Sequence, residues 1–292
     1  MTGALSAPGR ERIAGLVRRF REDFGVRSVP VDSFVLMKSV REKGNLILDR
    51  QNDPQVPSGE AFIIHTPGTR TYTIVTGGIP PLDWKKYSSW RRINFTLAHE
   101  LGHLFCGHLE VPHSLKSEKV RALEDAEADA FAAELLVPAE ALAFFCTVKE
   151  AADALWVSES AVRRRMRDTG VLPAMRTCPR CGFSRIPPAA GFCRMCGACV
   201  QPVPRPPEEP EVPFLPPLPR ECPVCGETEL GSVGGECLNC GNPKRNRCMP
   251  EYDQPPHFCP DDARFCEICG APTVYRELFL PPYSSSFCSS TV

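Results

Sequence analysis

Residues 93–109 read INFTLAHELGHLFCGHL, and this stretch decides the fold. Ile93, Phe95, Leu97, Leu101, Leu104 and Phe105 supply apolar support for a buried helix. On that helix His99 and His103 are four residues apart, so they stand one above the other on a single face. Two imidazoles so placed bite one metal ion from one turn. Glu100 is rotated by about 100° from His99, toward the open coordination position. Zinc acidifies water, and a carboxylate beside it takes the proton. This H-E-x-x-H spacing is the arrangement of zinc peptidases. A surface helix with two incidental histidines would not need so much apolar support.

Such a site needs a third protein ligand. The stretch EDAEADAFAAELLVP (Glu124–Pro138) offers Glu124, Asp125, Glu127, Asp129 and Glu134. Glu127 is the expected ligand, because it sits among alanines that allow close helix packing, with Glu124 and Asp125 as alternatives. Asp129 is expected to orient a ligating histidine. His108, His65 and Tyr87 are candidates for stabilising an oxyanion, although a structural role suits each of them as well.

Outward from this pair, residues 10–24 place Ile13, Leu16, Val17, Phe20 and Phe24 at helical spacing, and a second helix is expected over 31–42. Three strands follow, at 46–48, 61–65 and 72–76, the last two joined by a Pro-Gly turn into an antiparallel pair. Beyond 93–109 come helices at 118–136, stopped before Pro138, and at 148–155 and 159–168, with Ser158 as cap and Gly170 as stop. Arg163, Arg164, Arg165 and Arg167 give the last helix a basic face. It either closes the domain or meets DNA phosphates or a partner.

The 292 residues carry a net charge of -1, which gives no global argument for nucleic acid or an anionic membrane. No apolar run reaches a membrane span, and the N-terminus lacks the apolar core of a secretory signal. A cytoplasmic address is expected. Cysteine and proline are the unusual counts, at 16 and 31, and both crowd into the C-terminal part. In a reducing compartment, paired cysteines read as zinc ligands. Cys178-x-x-Cys181 and Cys193-x-x-Cys196 are 11 residues apart, and Cys222-x-x-Cys225 and Cys237-x-x-Cys240 repeat that separation. Each set is expected to close a four-thiolate site whose metal supplies the folding energy. A third site is expected from Cys266 and Cys269 with Cys248 and either Cys259 or His257. Cys199 and Cys288 are left over. Lys244, Arg245 and Arg247 form a small basic run beside the second ribbon.

Through RRINFTLAHELGHLFCGH (Arg91–His108), EDAEADAFAAELLVP and VSESAVRRRMRDTGVL (Val157–Leu172), the chain resembles the ImmA/IrrE family of metallo-endopeptidases. The resemblance covers about residues 10–172. It implies a gluzincin-like α+β fold, two His and one Glu on zinc with Glu127 at the glutamate position, and a helix-turn-helix transcriptional repressor as the protein substrate. The implied outcome is control of a mobile element or a stress response. The cysteine-rich extension departs from shorter members. The expected organisation is a metallopeptidase domain over 1–172, ribbons at 173–200 and 221–243, a proline-rich linker at 201–220 and a third cysteine module at 244–292. One catalytic zinc and two or three structural zinc ions go with it. The competing reading is a non-catalytic regulator that binds DNA or protein through the ribbons and the arginine-rich helix.

Overall fold

The computed structural model describes residues 5–44, 46–57, 59–77, 88–171, 175–200, 222, 224–226, 235–250, 256–278 and 280, except for the side chains of residues 88 and 89. The expected linker 201–220, Tyr87 and Cys288 lie outside the described residues. The chain divides into two compact units, Met1–Ala139 with Leu155–Gly170, and Glu140–Ala154 with Val171–Val292. The short stretch Glu140–Ala154, expected in the N-terminal domain, therefore groups with the cysteine-rich unit. Among the described residues no helix is long and apolar enough to cross a membrane.

The first unit is α+β. Its helix α1 (Ala7–Phe24) starts at the Ser6 cap, with a proline in its first turn, and stops at Gly25 in the left-handed conformation. Asp32 caps α2 (Ser33–Lys43) by accepting from the Phe34 and Val35 N–H groups. Three strands follow, β1 (Ile47–Asn52), β2 (Ala61–His65) and β3 (Thr71–Thr76), in the spatial order β1-β3-β2. The expected β2–β3 antiparallel pair is present, with Ile63 opposite Ile74. The sheet is nevertheless mixed, because β1 runs parallel to β3, with Leu48 opposite Tyr72. The hairpin turn brings β3 back between the other two strands, where its second half is buried.

Helices α3 (Ser88–Phe105) and α4 (Glu118–Leu136) form the centre of this unit. Ser117 caps α4 through the Val120 N–H. Ile93, Leu97 and Leu101 of α3 and Phe131 and Leu135 of α4 are almost fully buried, together with Ile13 and Val17 of α1. Phe20 packs edge-on against Phe105 and Phe131, with ring centroids 4.7 and 5.3 Å away. A buried Phe of this kind contributes up to about 3 kcal/mol by area alone. Gly102 sets the crossing of α3 and α4, since a Cβ there would lie 2.9 Å from both Cα and carbonyl O of Ala128.

Asn94, fully buried, fixes the first half of α3. Its Oδ1 accepts from the Ser33 N–H, and its Nδ2 donates to the Val31 and Trp156 carbonyls. Ser33 Oγ donates to the Asn94 carbonyl in return. Helix α7 (Glu159–Thr169), capped by Ser158 and ended by Gly170, closes the unit.

The second unit contains all but the last residue of α6 (Val148–Leu155) and a short helix α8 (Val274–Leu278), while the four-residue helix α5 (Ala139–Leu142) spans the boundary between the units. Elsewhere in this unit the described residues form turns and isolated bridges, and its buried clusters are built around cysteines. The first and third cysteine modules dock reciprocally. The Gly191 and Phe192 N–H groups both donate to the Glu267 carbonyl, and those of Arg264 and Phe265 both donate to the Arg194 carbonyl. Phe265 covers Gly197, and Phe192 covers Gly270. The Arg194 guanidinium, buried, reaches Asp262 and Glu267 at 3.2 and 3.1 Å.

Candidate metal centre

Helix α3 aims the Nε2 atoms of His99 and His103 at one point, 3.1 Å apart. Asp125 of α4 approaches the same point, with Oδ1 3.5 Å from His103 Nε2. Suitable donor atoms of these three residues all lie within 4.8 Å of one another. For zinc–nitrogen bonds of about 2.05 Å, the edge of a tetrahedron is about 3.3 Å. The spacing and the donor chemistry therefore fit zinc. Glu127, the expected ligand, is not in this group. Its Oε1 is 2.5 Å from Arg12 Nη2, and its Oε2 is 2.9 Å from His108 Nε2. Glu124 is taken by Lys116 at 2.7 Å.

The reason lies in helix geometry. Asp129 Oδ1 sits 2.9 Å from His99 Nδ1 and faces α3, as expected for an orienting carboxylate. Asp125 is one turn before Asp129 and shares its face, whereas Glu127 is rotated by roughly 160° from Asp129. The small contact between Gly102 and Ala128 then brings this face to the histidines.

Both histidines are backed on the side away from the shared point. Behind His99, Asp129 accepts from Arg164 at 2.6 Å. Behind His103, His108 Nδ1 lies 3.0 Å from His103 Nδ1. His108, a candidate for an oxyanion role, lies in contact with His103 and Glu127. His65 has its ring nitrogens at 3.3 and 2.9 Å from the Leu109 and Thr69 carbonyls, and stacks on Tyr72. Tyr87 lies outside the described residues. Arg12 and Arg164 were not expected at the site. No local pattern marks them, because they come from α1 and α7.

The charges follow from these contacts. Burial pulls His103 down to about 3, helped by His99 and His108, so the ring is neutral and offers a lone pair. Burial opposes charge on His99, but the Asp129 hydrogen bond and nearby acids outweigh it and raise its proton affinity. Burial also works against the Glu127 and Asp129 carboxylates. The hydrogen bonds from Arg12 and His108 in one case, and from His99 with the charge of Arg164 in the other, hold them below the usual range. Glu100 is buried beside the pair, and burial pushes its carboxyl up to about 7, against the opposing charge of His99 and a hydrogen bond from the Ile63 backbone.

Of the basic helix, Arg163 pairs with Glu159 on the same helix. Arg165 donates to Val137 O and to Glu134. Together with Arg164 on Asp129, three of the four arginines spend their charge inside the unit. The basic run near the second ribbon is likewise partly internal, since Lys244 is buried.

The cysteine modules show one repeated geometry. Cys178 and Cys196 have Sγ atoms 3.7 Å apart, as do Cys181 and Cys193. Cys222 and Cys240 are at 3.6 Å, and Cys225 and Cys237 at 3.7 Å. A disulfide needs about 2.05 Å, whereas a zinc tetrahedron with bonds of about 2.3 Å has edges near 3.8 Å. Each C-x-x-C turn ends in a glycine with positive φ, such as Gly182 at 74°, whose N–H donates to the carbonyl of the first cysteine. In the third module His257 joins Cys248, Cys266 and Cys269. His257 Nδ1 is 3.6 Å from Cys248 Sγ and 3.7 Å from Cys266 Sγ, close to the mixed S–N edge of about 3.6 Å. Cys259, the other expected candidate, is buried beside this group and donates to the His257 carbonyl. Cys199 is exposed, outside the first group.

Residues 85–167 match the model of a peptidase family described as the IrrE N-terminal-like domain. That segment is similar to the IrrE N-terminal-like domain. It contains His99, Glu100, His103, Asp125 and Asp129, so the family match and the metal geometry coincide in one segment. Among solved structures, a Mycobacterium tuberculosis transcriptional regulator is similar over 53% of this chain and 46% of that one, with 15% identity and a TM-score of 0.36. The chain thus spans less than half of that protein's length, and a likeness of this size carries no argument about fold or function. No curated protein matches in sequence. The matched segment holds the whole α3–α4 site, whereas the cysteine modules fall beyond it.

Proposed function

We propose that the chain is a zinc-dependent endopeptidase acting on a protein, with His99, His103 and Asp125 holding the metal and Glu100 acting as general base. The observation that carries this reading is the convergence of two histidine Nε2 atoms and one carboxylate beside a buried, unusually basic glutamate. The IrrE-like match supports it. A zinc ion bound there supplies Lewis acidity toward water and the peptide carbonyl. Glu100 takes a proton from the attacking water as the oxygen bonds to the carbonyl carbon. It then passes that proton to the amide nitrogen as the C–N bond breaks, and is left as a carboxylate. A carboxyl near neutrality suits both steps. Asp129 keeps the His99 ring in one orientation throughout.

The proposed substrate is a helix-turn-helix repressor, as the family resemblance implies, and the cysteine modules serve to recruit it or to place the enzyme on a partner. Glu100→Gln tests the chemistry. The variant is expected to keep its first-unit zinc and lose cleavage by a factor of about 10² to 10⁴, measured on a repressor encoded near this chain. Undiminished cleavage would remove Glu100 as base. Biological activity preserved without cleavage would favour the regulator reading.

A further inference from the structure

We propose that the second cysteine module pairs with the same module of another copy of this chain, edge to edge, as the first and third modules pair within one chain. This pairing is independent of the chemistry at the α3–α4 site.

The chain carries one knuckle three times. FCRMCG (192–197), ECLNCG (236–241) and FCEICG (265–270) share the C-x-x-C-G spacing. Their backbones repeat as well. In each copy the N–H of the first cysteine donates to the carbonyl five residues on, at 2.8 Å, and the glycine N–H donates back to the carbonyl of that cysteine. The three glycines have φ of 71°, 72° and 75°. Isolated bridges close the copies at matching places, Phe192 with Cys199, Glu236 with Pro243 and Phe265 with Pro272. Turns this short fix the same outer edge in every copy.

In the first and third copies that edge is occupied. The Glu267 carbonyl accepts from the Gly191 and Phe192 N–H groups at 2.8 and 3.1 Å, and the Arg194 carbonyl accepts from those of Arg264 and Phe265 at 2.8 and 3.0 Å. The exchange joins equivalent residues reciprocally, so the two knuckles are related as by a two-fold axis. Arg194 and Glu267 hold the same position and meet across that axis, with Nε and Oε1 3.1 Å apart. Opposite charges there fit each knuckle to a different one and not to itself.

In the second copy the corresponding groups are the Gly235 and Glu236 N–H groups and the Leu238 carbonyl, and among the described residues nothing bonds to them. Leu238, at the axial position, is 73% exposed, whereas Arg194 is 3% exposed. A Cβ at Gly241 would meet nothing within 4 Å, whereas Phe265 and Phe192 cover its counterparts Gly197 and Gly270. Unpaired N–H and C=O groups along an edge are a template for a matching edge. The axial residue selects which edge matches. In a two-fold pair of identical knuckles each axial side chain meets its own copy. A charge would be repelled there, while leucine against leucine leaves water. Glu236 stands where the other copies have the covering phenylalanine, and Arg247, 4.0 Å away, offsets its charge. The occupant that this edge fits is thus a second copy of itself. Chains paired in this way carry two α3–α4 sites in one particle.

The test is sedimentation of the full zinc-loaded chain from about 1 µM to about 1 mM, the span of weak association. So small a contact belongs with interfaces below about 1,200 Å², and a weak, concentration-dependent dimer is expected. Leu238→Asp is expected to weaken it by about tenfold or more, with the zinc count by elemental analysis unchanged, because Leu238 is exposed. Leu115→Asp, on a first-unit side chain that is 76% exposed, is expected to leave the dimer as it is. Leu238→Arg and Leu238→Glu are each expected to stay monomeric alone and to associate when mixed, since together they repeat the Arg194–Glu267 pair. Should Leu238→Asp lose zinc, this charged pair decides. A chain that is monomeric throughout overturns the proposal and leaves the edge to a different protein. A dimer that Leu238→Asp does not weaken, or that Leu115→Asp weakens as much, uses another face and overturns it too. Charged variants that fail to associate when mixed overturn the two-fold geometry, and the proposal with it.

Discussion

The two units hold their candidate metal-binding groups in opposite ways. In the first, His99, His103 and Asp125 project from helices whose packing is already complete: Leu97, Leu101, Phe131 and Leu135 are buried, and Asn94 ties α3 to its neighbours. His99 and His103 are also backed by Asp129 and His108, contacts that do not involve the metal. In the second unit, the cysteines are themselves the buried core, joined by turns and bridges rather than by long helices or strands. A preformed frame suits a metal that must keep an open position for chemistry. A frame made by the metal suits a closed structural site. The two candidate groups thus place different demands on the surrounding fold.

The widest test of this contrast is removal of metal. A strong chelator is expected to unfold the cysteine modules, where a structural zinc is worth on the order of 10 kcal/mol or more, and to leave α1, α3 and α4 folded. Hydrogen exchange resolved by segment measures this. Protection that survives in the modules, or is lost equally in α3 and α4, breaks the comparison. Reciprocal docking of the first and third modules adds that loss of one should loosen the other.

Within the modules, His257→Ala is expected to release the third zinc and Cys259→Ser to retain it, as counted by elemental analysis. The opposite pattern would make Cys259 the fourth ligand. The thiolate-to-cobalt absorption of a cobalt-substituted protein sharpens the result, because three thiolates and four differ in intensity.

In the first unit, Gly102→Ala probes the frame itself. Alanine normally favours a helix interior over glycine by about 1 kcal/mol. Here its Cβ would enter the space of Ala128, so a net loss of about 1–3 kcal/mol is expected, read from chemical denaturation. The same shift would move Asp125 away from His103 and weaken zinc. A stabilised Gly102→Ala protein with unchanged zinc affinity would show that the α3–α4 crossing does not position the site.

Much of this was legible in local patterns. Apolar spacing marked α1 and α3, a run of good helix formers marked α4, and strand patterns around a Pro-Gly turn marked the β2–β3 hairpin. Ser158, Gly170 and Pro138 marked their helix boundaries. The parallel β1–β3 pairing was not legible, because strand order depends on where a hairpin folds back. Arg12 escaped notice for a similar reason: it is one arginine among several on α1, and only the packing of α1 near α4 brings it to Glu127.

By itself, the sequence determined that His99 and His103 share a face beside Glu100, and that each C-x-x-C pair presents two thiols together. These are consequences of helical periodicity and short turns, which act over three or four residues. Which of Glu124, Asp125 and Glu127 approaches the two histidines, which of His257 and Cys259 groups with the thiols, and the docking of the first module on the third were set only in the tertiary structure. All the candidates in each choice lie within a few residues of one another, so local rules do not rank them. What ranks them is the rotation and approach of whole elements, set by contacts such as Gly102 on Ala128 between residues far apart in the chain.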